Sequence, residues 1–270
     1  MKITCISSIL IVLFLTGCQK DSTTTTSQPG DKNSSEGSIV IGDQSFEGLN
    51  GLVFGQISTS GLKSGSLVTC PSITATLNAS FPVSIAFDWG SGCTGADDGV
   101  TRSGKITASV SGMMNLANSV VTFTFTDFVS DGNKISGVHK ITYMGLNTGN
   151  NWPRYNVLTE AKIVFPDNKF INYRAEYVRL QSEGSSTPLI IADDVWRIEG
   201  NSSGTTREGV TWTANYPSAV TKKASCKWFS SGSVLVTPAG EVPRTINFGD
   251  GTCDNKATLT IGDKTIDIQL

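Results

Sequence analysis

The sequence contains one histidine, His139, among 270 residues, and this scarcity limits the chemistry available to the chain. A hydrolase triad or a multi-histidine metal centre would have to be built on this single ring. The GxSxG and HExxH motifs and a phosphate-binding glycine loop are also absent from the sequence. We therefore expect no enzymatic activity, no metal and no cofactor. His139 is expected to lie on the surface of a strand, within the alternating run 138–143.

Charge of one sign is not in excess either. The 21 Lys and Arg residues nearly balance the 23 Asp and Glu residues. A protein that holds nucleic acid usually presents a clear basic field to the phosphates. Nucleic acid is therefore not an expected partner.

The only long apolar run lies at the N-terminus, over residues 9–15 after Lys2. It is too short to cross a bilayer of about 30 Å as a helix, but it suits the core of a signal peptide. The next residues, Leu15-Thr16-Gly17-Cys18, resemble the bacterial lipobox. This resemblance implies a signal peptide over residues 1–17 and a lipidated Cys18 that attaches the chain to a membrane through acyl chains such as palmitate. The alternative is an ordinary secretory signal with a chance cysteine.

Residues 18–38 are rich in Ser, Thr and Gly and are expected to form a flexible tether. Until residue 38 they include no large apolar residue, so they cannot bury enough surface to offset the entropy of ordering. Gln19-Lys20-Asp21 resembles the start of the surface-export signal of Bacteroidota lipoproteins. It favours an outer membrane lipoprotein on the cell surface; the periplasmic face is the alternative.

Cysteine usage predicts two disulfides in the remaining domain. Cys5 leaves with the signal and Cys18 is lipidated, so four cysteines remain in an oxidising compartment. Four cysteines allow three pairings. The segments 88–93 and 247–253 resemble each other, and each ends in a cysteine about 25 residues after another. This repeat favours Cys70 with Cys93 and Cys226 with Cys253. A zinc site of four thiols is the alternative, although no CxxC spacing is present.

Alternating apolar and polar residues predict an all-β domain over residues 39–270. In 121–126 the odd positions are apolar and the even ones are Thr, and in 171–177 the odd positions are again apolar. Turn residues separate such runs, and no stretch has a helical period. We expect antiparallel hairpins and meanders, in a sandwich or a strongly curved sheet. The repeat suggests two related β halves with a boundary near 145–150.

Several motifs together resemble a group of uncharacterised, Flavobacteria-like Bacteroidota lipoproteins. They are Cys70-Pro71, the aromatic-Gly-x-Gly-Cys turn at 88–93, the segment 102–106 and the closing segment 248–255. The resemblance covers most of the chain after the tether. It implies export and an all-β domain, and it implies no activity.

Two aspartate pairs, Asp97-Asp98 and Asp193-Asp194, are the remaining candidates for acid–base chemistry. A glycosidase needs two carboxyl groups roughly 5 to 10 Å apart. Adjacent residues of a strand point to opposite faces, and Asp is common in turns, so the turn interpretation is favoured. The oxygens of Asp250, Asp254 and Asn255 form a weaker candidate for calcium.

Aromatic residues could provide a surface that stacks on sugars, although aromatics in strands are more typical of a core. Trp152, in the turn-rich segment 150–153, is the best candidate for exposure and for ligand contact. The favoured function is a non-enzymatic binding or structural domain with a glycan or protein ligand. The alternative is a glycan-directed hydrolase or a polysaccharide-utilisation accessory protein with paired carboxylates.

Overall fold

The computed structural model describes residues 34–54, 57–58, 61–62, 70–76, 80–95, 99–187, 190 and 192–270. The predicted signal peptide, Cys18 and the pair Asp97-Asp98 lie outside these residues. The lipid anchor therefore remains a prediction.

One helix precedes sixteen strands in the described chain. The helix α1 spans Ser35–Phe54. The strands are β1 (Ile57–Ser58), β2 (Gly61–Leu62), β3 (Ser72–Thr76), β4 (Val83–Asp88), β5 (Cys93–Thr94), β6 (Thr101–Val110), β7 (Val120–Ser130), β8 (Asn133–Leu146), β9 (Pro153–Val164), β10 (Phe170–Glu183), β11 (Val195–Thr205), β12 (Thr211–Lys223), β13 (Phe229–Pro238), β14 (Arg244–Asp250), β15 (Lys256–Ile261) and β16 (Lys264–Gln269).

Fourteen strands form a single antiparallel sheet, which confirms the all-β prediction. Its order is β16 to β6 in sequence, then β4 and β3, and β5 pairs with β6 beside the end of β4. The strands β3 and β16 are its edges, so the sheet is not closed on itself. β8 pairs directly with β9 across residues 145–150, so the sheet continues unbroken through the suggested boundary between two halves.

The sheet has one buried face and one wet face, as the alternating pattern predicts. In β10, Ile171, Tyr173, Ala175 and Tyr177 are buried, whereas the residues between them are exposed. In β7, Val121 and Phe123 are buried in the same core. The inward-facing residues from β4 to β15 therefore form one continuous apolar layer.

The helix α1 packs on this buried face and crosses the sheet from β14 to the strands β8 and β9. Near its start, Glu36 contacts Arg244 at the beginning of β14. Near its end, Asn50 contacts His139 in β8. The Ser34 hydroxyl accepts a hydrogen bond from the Gly37 N–H at 3.1 Å, which is the geometry of a helix N-cap.

This helix corrects two expectations. The tether was expected to extend to residue 38, but Ser34, Ser35, Glu36 and Ser38 are buried and belong to the folded domain. The expectation that no helix is present was also wrong. The pattern was not amphipathic because both polar and apolar side chains of α1 are buried, so no wet face sets a helical period.

Both predicted disulfides are present. Cys70 is bonded to Cys93, and Cys226 to Cys253. The first joins the start of the edge strand β3 to β5, and the second joins the loops that follow β12 and β14. The four-thiol zinc alternative is therefore excluded. Within the described residues, no helix is long and apolar enough to cross a membrane.

Candidate functional site

The outer face of the sheet is uneven where β10, β11, β12 and β13 lie side by side. The register between β11 and β12 shifts between Ile198 and Asn201, and the register between β12 and β13 shifts between Asn215 and Ser218. Gly200 sits within the first shift at φ +144°, and a Cβ there would lie 2.2 Å from the Glu176 carbonyl oxygen. Such bulges bend the strands and increase their twist, so the outer surface becomes concave here.

The first groove on this face has a volume of about 370 Å³. Its outer wall is a row of side chains on neighbouring strands, in which Glu176, Asn201, Asn215 and Leu235 lie opposite one another in turn. A parallel row contributes further residues. The lining includes Arg174, Ser203, Thr213 and Thr237. Except for Leu235, the side chains of these two rows are polar.

A second groove of about 540 Å³ adjoins the first and shares Arg174, Ser203 and Thr213 with it. It also reaches Glu160 in β9. Its lining includes Gly204 and the aromatic residues Tyr173 and Trp212. Gly204 must lack a side chain, since a Cβ would lie 2.8 Å from the Trp212 ring and 2.2 Å from the Asn172 carbonyl oxygen. We refer to the two together as the outer groove.

Arg174 stands at the centre of the outer groove and forms ion pairs with two carboxylates. One of its terminal nitrogens contacts Glu160 on β9, and the other contacts Glu176 on its own strand. All three side chains are about half exposed. The cluster carries one net negative charge, which disfavours an anionic ligand and leaves many hydrogen-bonding groups for a neutral one.

Beneath the sheet, the polar side chains of α1 form a buried network. Asp43 accepts hydrogen bonds from the hydroxyls of Tyr173, Tyr177 and Tyr216, the last two at 2.6 and 2.7 Å. Burial raises the pKa of Asp43 to about 6, while these three hydroxyls act in the opposite direction. Burial also raises the pKa of each of the three tyrosines.

Two further polar contacts hold the end of α1. Glu47 forms a salt bridge of 3.0 Å with Arg179 on β10, and both side chains are almost fully buried. The Arg179 guanidinium also lies 4.4 Å from the centre of the Trp196 ring. Each of the two charges partly offsets the cost of burying the other, although Arg179 Nε and Nη1 have no hydrogen-bond partner among the described residues.

His139 lies in this network and corrects the expectation of a surface histidine. It is on β8 as expected, but it is fully buried, with Nε2 2.8 Å from Asn50 Oδ1 and Nδ1 2.8 Å from Thr159 Oγ1. Because the Asn50 oxygen only accepts, Nε2 carries the proton and Nδ1 accepts from Thr159. Burial, with Arg179 nearby, lowers the pKa of His139 to about 3.

The network does not resemble an open catalytic centre. Asp43, Glu47 and His139 are buried between helix and sheet, and none of them lines the outer groove. Their hydrogen-bonding atoms face one another across the helix–sheet interface. The network therefore accounts for how α1 is held, and the outer groove is the better candidate for ligand binding.

The predicted aspartate pair Asp193-Asp194 lies at a turn and is not a free acid pair. The Asp194 Oδ1 accepts a hydrogen bond of 2.8 Å from Gln181, and the Asp193 Oδ2 accepts one of 2.6 Å from Thr187. Burial raises the pKa of Asp194 to about 6. The calcium candidates Asp250 and Asp254 accept hydrogen bonds from the backbone two residues further on. Among the described residues, no group of three or more His, Cys, Asp or Glu could hold a metal.

The aromatic residues mostly form core, as their strand positions favour. Tyr155, Trp196, Trp212 and Tyr216 are buried. Trp152, the candidate ligand contact, is half-buried in the turn between β8 and β9, and its backbone N–H donates to Asn147 Oδ1 at 2.9 Å. It does not line the outer groove.

The outer groove was not predicted from the sequence. Its residues looked like the ordinary wet face of strands, and only the bulges bring them into a concave surface. Glycines within strands, such as Gly200 and Gly204, were the available signal, because a glycine inside a strand often marks a bulge or a close approach.

Comparisons with known proteins provide no family for this chain. No family, no curated protein and no solved structure matches it.

Proposed function

We propose that this protein is a lipid-anchored, non-enzymatic module of the bacterial envelope that binds a neutral glycan in the outer groove. The observation that supports this most is the outer groove itself, with two rows of amide, hydroxyl and ion-paired side chains across four strands. Planar polar groups with fixed positions suit the hydroxyls of a sugar. An open groove also allows a chain to extend beyond the contact on both sides.

The charges in the outer groove favour a neutral ligand. Arg174 is held between Glu160 and Glu176, so its guanidinium is fixed and its charge is already compensated. A sugar hydroxyl can donate to either carboxylate and accept from the guanidinium. Nucleic acid or a highly anionic polysaccharide would instead meet net negative charge.

Binding can be tested by affinity electrophoresis against a panel of neutral and anionic polysaccharides. We expect retardation by at least one neutral polymer, and at least a tenfold weaker interaction in Arg174→Ala. Lys134→Ala is a matched control, because Lys134 is also an exposed cation paired with a carboxylate, that of Asp127, but lies on β8. Equal retardation of both variants, or binding to anionic polymers alone, would refute the proposal.

A reducing-end assay on the same polymers addresses the alternative of a glycan-directed hydrolase. Release of new reducing ends from a bound polymer would favour that alternative. In that case Glu160 and Glu176 would be the first carboxylates to replace, since they are the pair that lines the outer groove. We expect binding without release.

The anchor and its location need separate experiments. Replacement of Cys18 by Ala should move the protein from the membrane fraction to the soluble fraction. Treatment of intact cells with protease, beside lysed cells, tests surface display. We expect degradation in intact cells, and protection until lysis would place the domain on the periplasmic face.

A further inference from the structure

Three neighbouring loops at one end of the sheet contain no charged residue. They are residues 80–82 before β4, 111–119 between β6 and β7, and 144–153 from the end of β8 to the start of β9. We refer to them as the uncharged tip. Val83 pairs with Val110, and the Asn118 N–H donates to the Tyr143 carbonyl oxygen at 2.7 Å, so the three loops are adjacent.

The uncharged tip exposes several large apolar side chains. Phe81, Met113, Leu116, Met144 and Leu146 are between 38 and 57% exposed. Trp152 is half-buried beside them, and Met114 is buried beneath the second loop. A contiguous apolar surface without charge is uncommon on a soluble monomer and is typical of the centre of a protein interface.

The loops at the opposite end of the sheet differ in composition. Five of the turns there carry charge, at Asp131, Asp167, Arg207, Glu241 and Asp263. Such turns are the usual solvated ends of strands. The lack of charge is thus a property of these three neighbouring loops, since the loops farther along the same end carry Asp193, Lys227 and Asp254.

Backbone hydrogen bonds hold the uncharged tip in shape. Asn147 Oδ1 accepts from the Trp152 N–H at 2.9 Å, and the Asn147 N–H donates to the Trp152 carbonyl oxygen at 2.9 Å. In the second loop, the Ser111 hydroxyl accepts from the Val120 N–H at 2.9 Å. A surface that is already ordered loses little entropy when it binds a partner.

We propose that the uncharged tip is a self-association surface, through which two copies of this chain meet about a two-fold axis. A two-fold contact places the same surface against itself, so a charge near the axis would meet the same charge on the partner. The tip avoids this repulsion. It comprises about 20 residues, which is the number that each side of a stable interface usually contributes.

The entry point of the chain is compatible with this contact. Glu36, in the first turn of α1, is bound to Arg244, the first residue of β14, and that end of β14 is at the opposite end of the sheet. The described chain therefore begins away from the tip. In a tip-to-tip contact, Ser34 of each copy would lie away from the interface.

A photo-crosslinking amino acid placed at Leu116 in the full chain, in intact cells, tests the proposal. The matched control is Val242, which is equally exposed at 57% but lies at the opposite end. Irradiation should give a product of twice the chain mass from position 116 and none from position 242. Peptide mapping should find tip residues on both sides of the new bond.

A second variant makes the outcome decisive. With the crosslinker at Met113, Leu116→Lys together with Leu146→Lys should reduce the double-mass product at least fivefold, because like charges would face each other. Val242→Lys should leave it unchanged. A product that contains a different protein or lipid, or the absence of any position-116 product, would overturn self-association through this surface.

Discussion

The ring of Tyr173 packs directly against the backbone of α1 at Gly42. A Cβ on Gly42 would lie 2.2 Å from the ring carbon Cδ2, which is far inside van der Waals contact. Tyr173 cannot easily move, because its hydroxyl is bound to Asp43 and its ring also stacks on Phe46, with centroids 5.9 Å apart. The helix can therefore approach the sheet this closely only with glycine at position 42.

Gly42→Ala should destabilise the protein by about 1–3 kcal/mol, as overpacking of a core does. Gly51→Ala is the matched control, since Gly51 is an exposed residue of the same helix with no atom within 4 Å of an added Cβ. There the higher helix propensity of Ala should add up to about 1 kcal/mol. Denaturant unfolding gives the free energy of unfolding of both variants. If Gly42→Ala and Gly51→Ala changed it in the same direction, the close contact at Gly42 would not be the cause.

Asp43 should make the protein more stable in mild acid. Its pKa is about 6 in the folded protein and 3.8 as an ordinary side chain, so the folded state binds the proton more tightly. The contribution of this group to the free energy of unfolding is fully present below about pH 4. It is lost as the pH rises through about 6, and the total loss is about 3 kcal/mol. Asp43→Asn should remove this slope. The difference between the two unfolding curves over pH 4–8 measures it, with Asp263→Asn, at an exposed turn, as control.

His139 should have the opposite effect. Its pKa falls from 6.5 to about 3 on folding, so the unfolded chain takes up a proton that the folded protein excludes. Stability from the neutral ring is complete above pH 7 and is lower by about 2 kcal/mol at pH 5. His139→Gln can still donate to Asn50 and accept from Thr159, and it should lose this sensitivity to acid. An unchanged acid slope in the variant would show that His139 does not titrate in this way.

Removal of Arg179 should be severe. Arg179→Met would leave the Glu47 carboxylate buried without its cation, at a cost of about 3–5 kcal/mol. A second change, Glu47→Leu, should restore much of that stability, because neither charge of this pair then remains buried. The exposed pair Lys134–Asp127 provides the comparison, and Lys134→Met should cost less than about 1 kcal/mol. A double variant as unstable as the single one would contradict this account.

The strands and the disulfides were predictable because their signals are local. The alternation in 171–177 reports directly which side chains face the core, and the repeated glycine turns place Cys93 and Cys253 at equivalent distances from their partners. Both follow from the geometry of a pleated strand and its turn. The wet face and the dry face of β10 are as the sequence predicts.

The helix and the buried network were not predictable in this way. Glu36, Asp43 and Asn50 look like solvated residues until their partners are known, and those partners lie 89 to 208 residues away in the chain. By composition alone, such polar side chains are expected to prefer water. In the folded protein each of these three side chains has a protein partner in place of water. The local sequence around each residue does not indicate that partner.

The contact between Glu36 and Arg244 joins residues 208 positions apart, and it has a consequence for the order in which the protein can fold. The helix is synthesised first, yet the strand that holds its start is among the last to be made. Contacts so distant in sequence form slowly, since a large loop must close before they stabilise anything. A chain that ended before β14 would leave Glu36 buried without its cation, so the start of the helix is fixed only once β14 has joined the sheet.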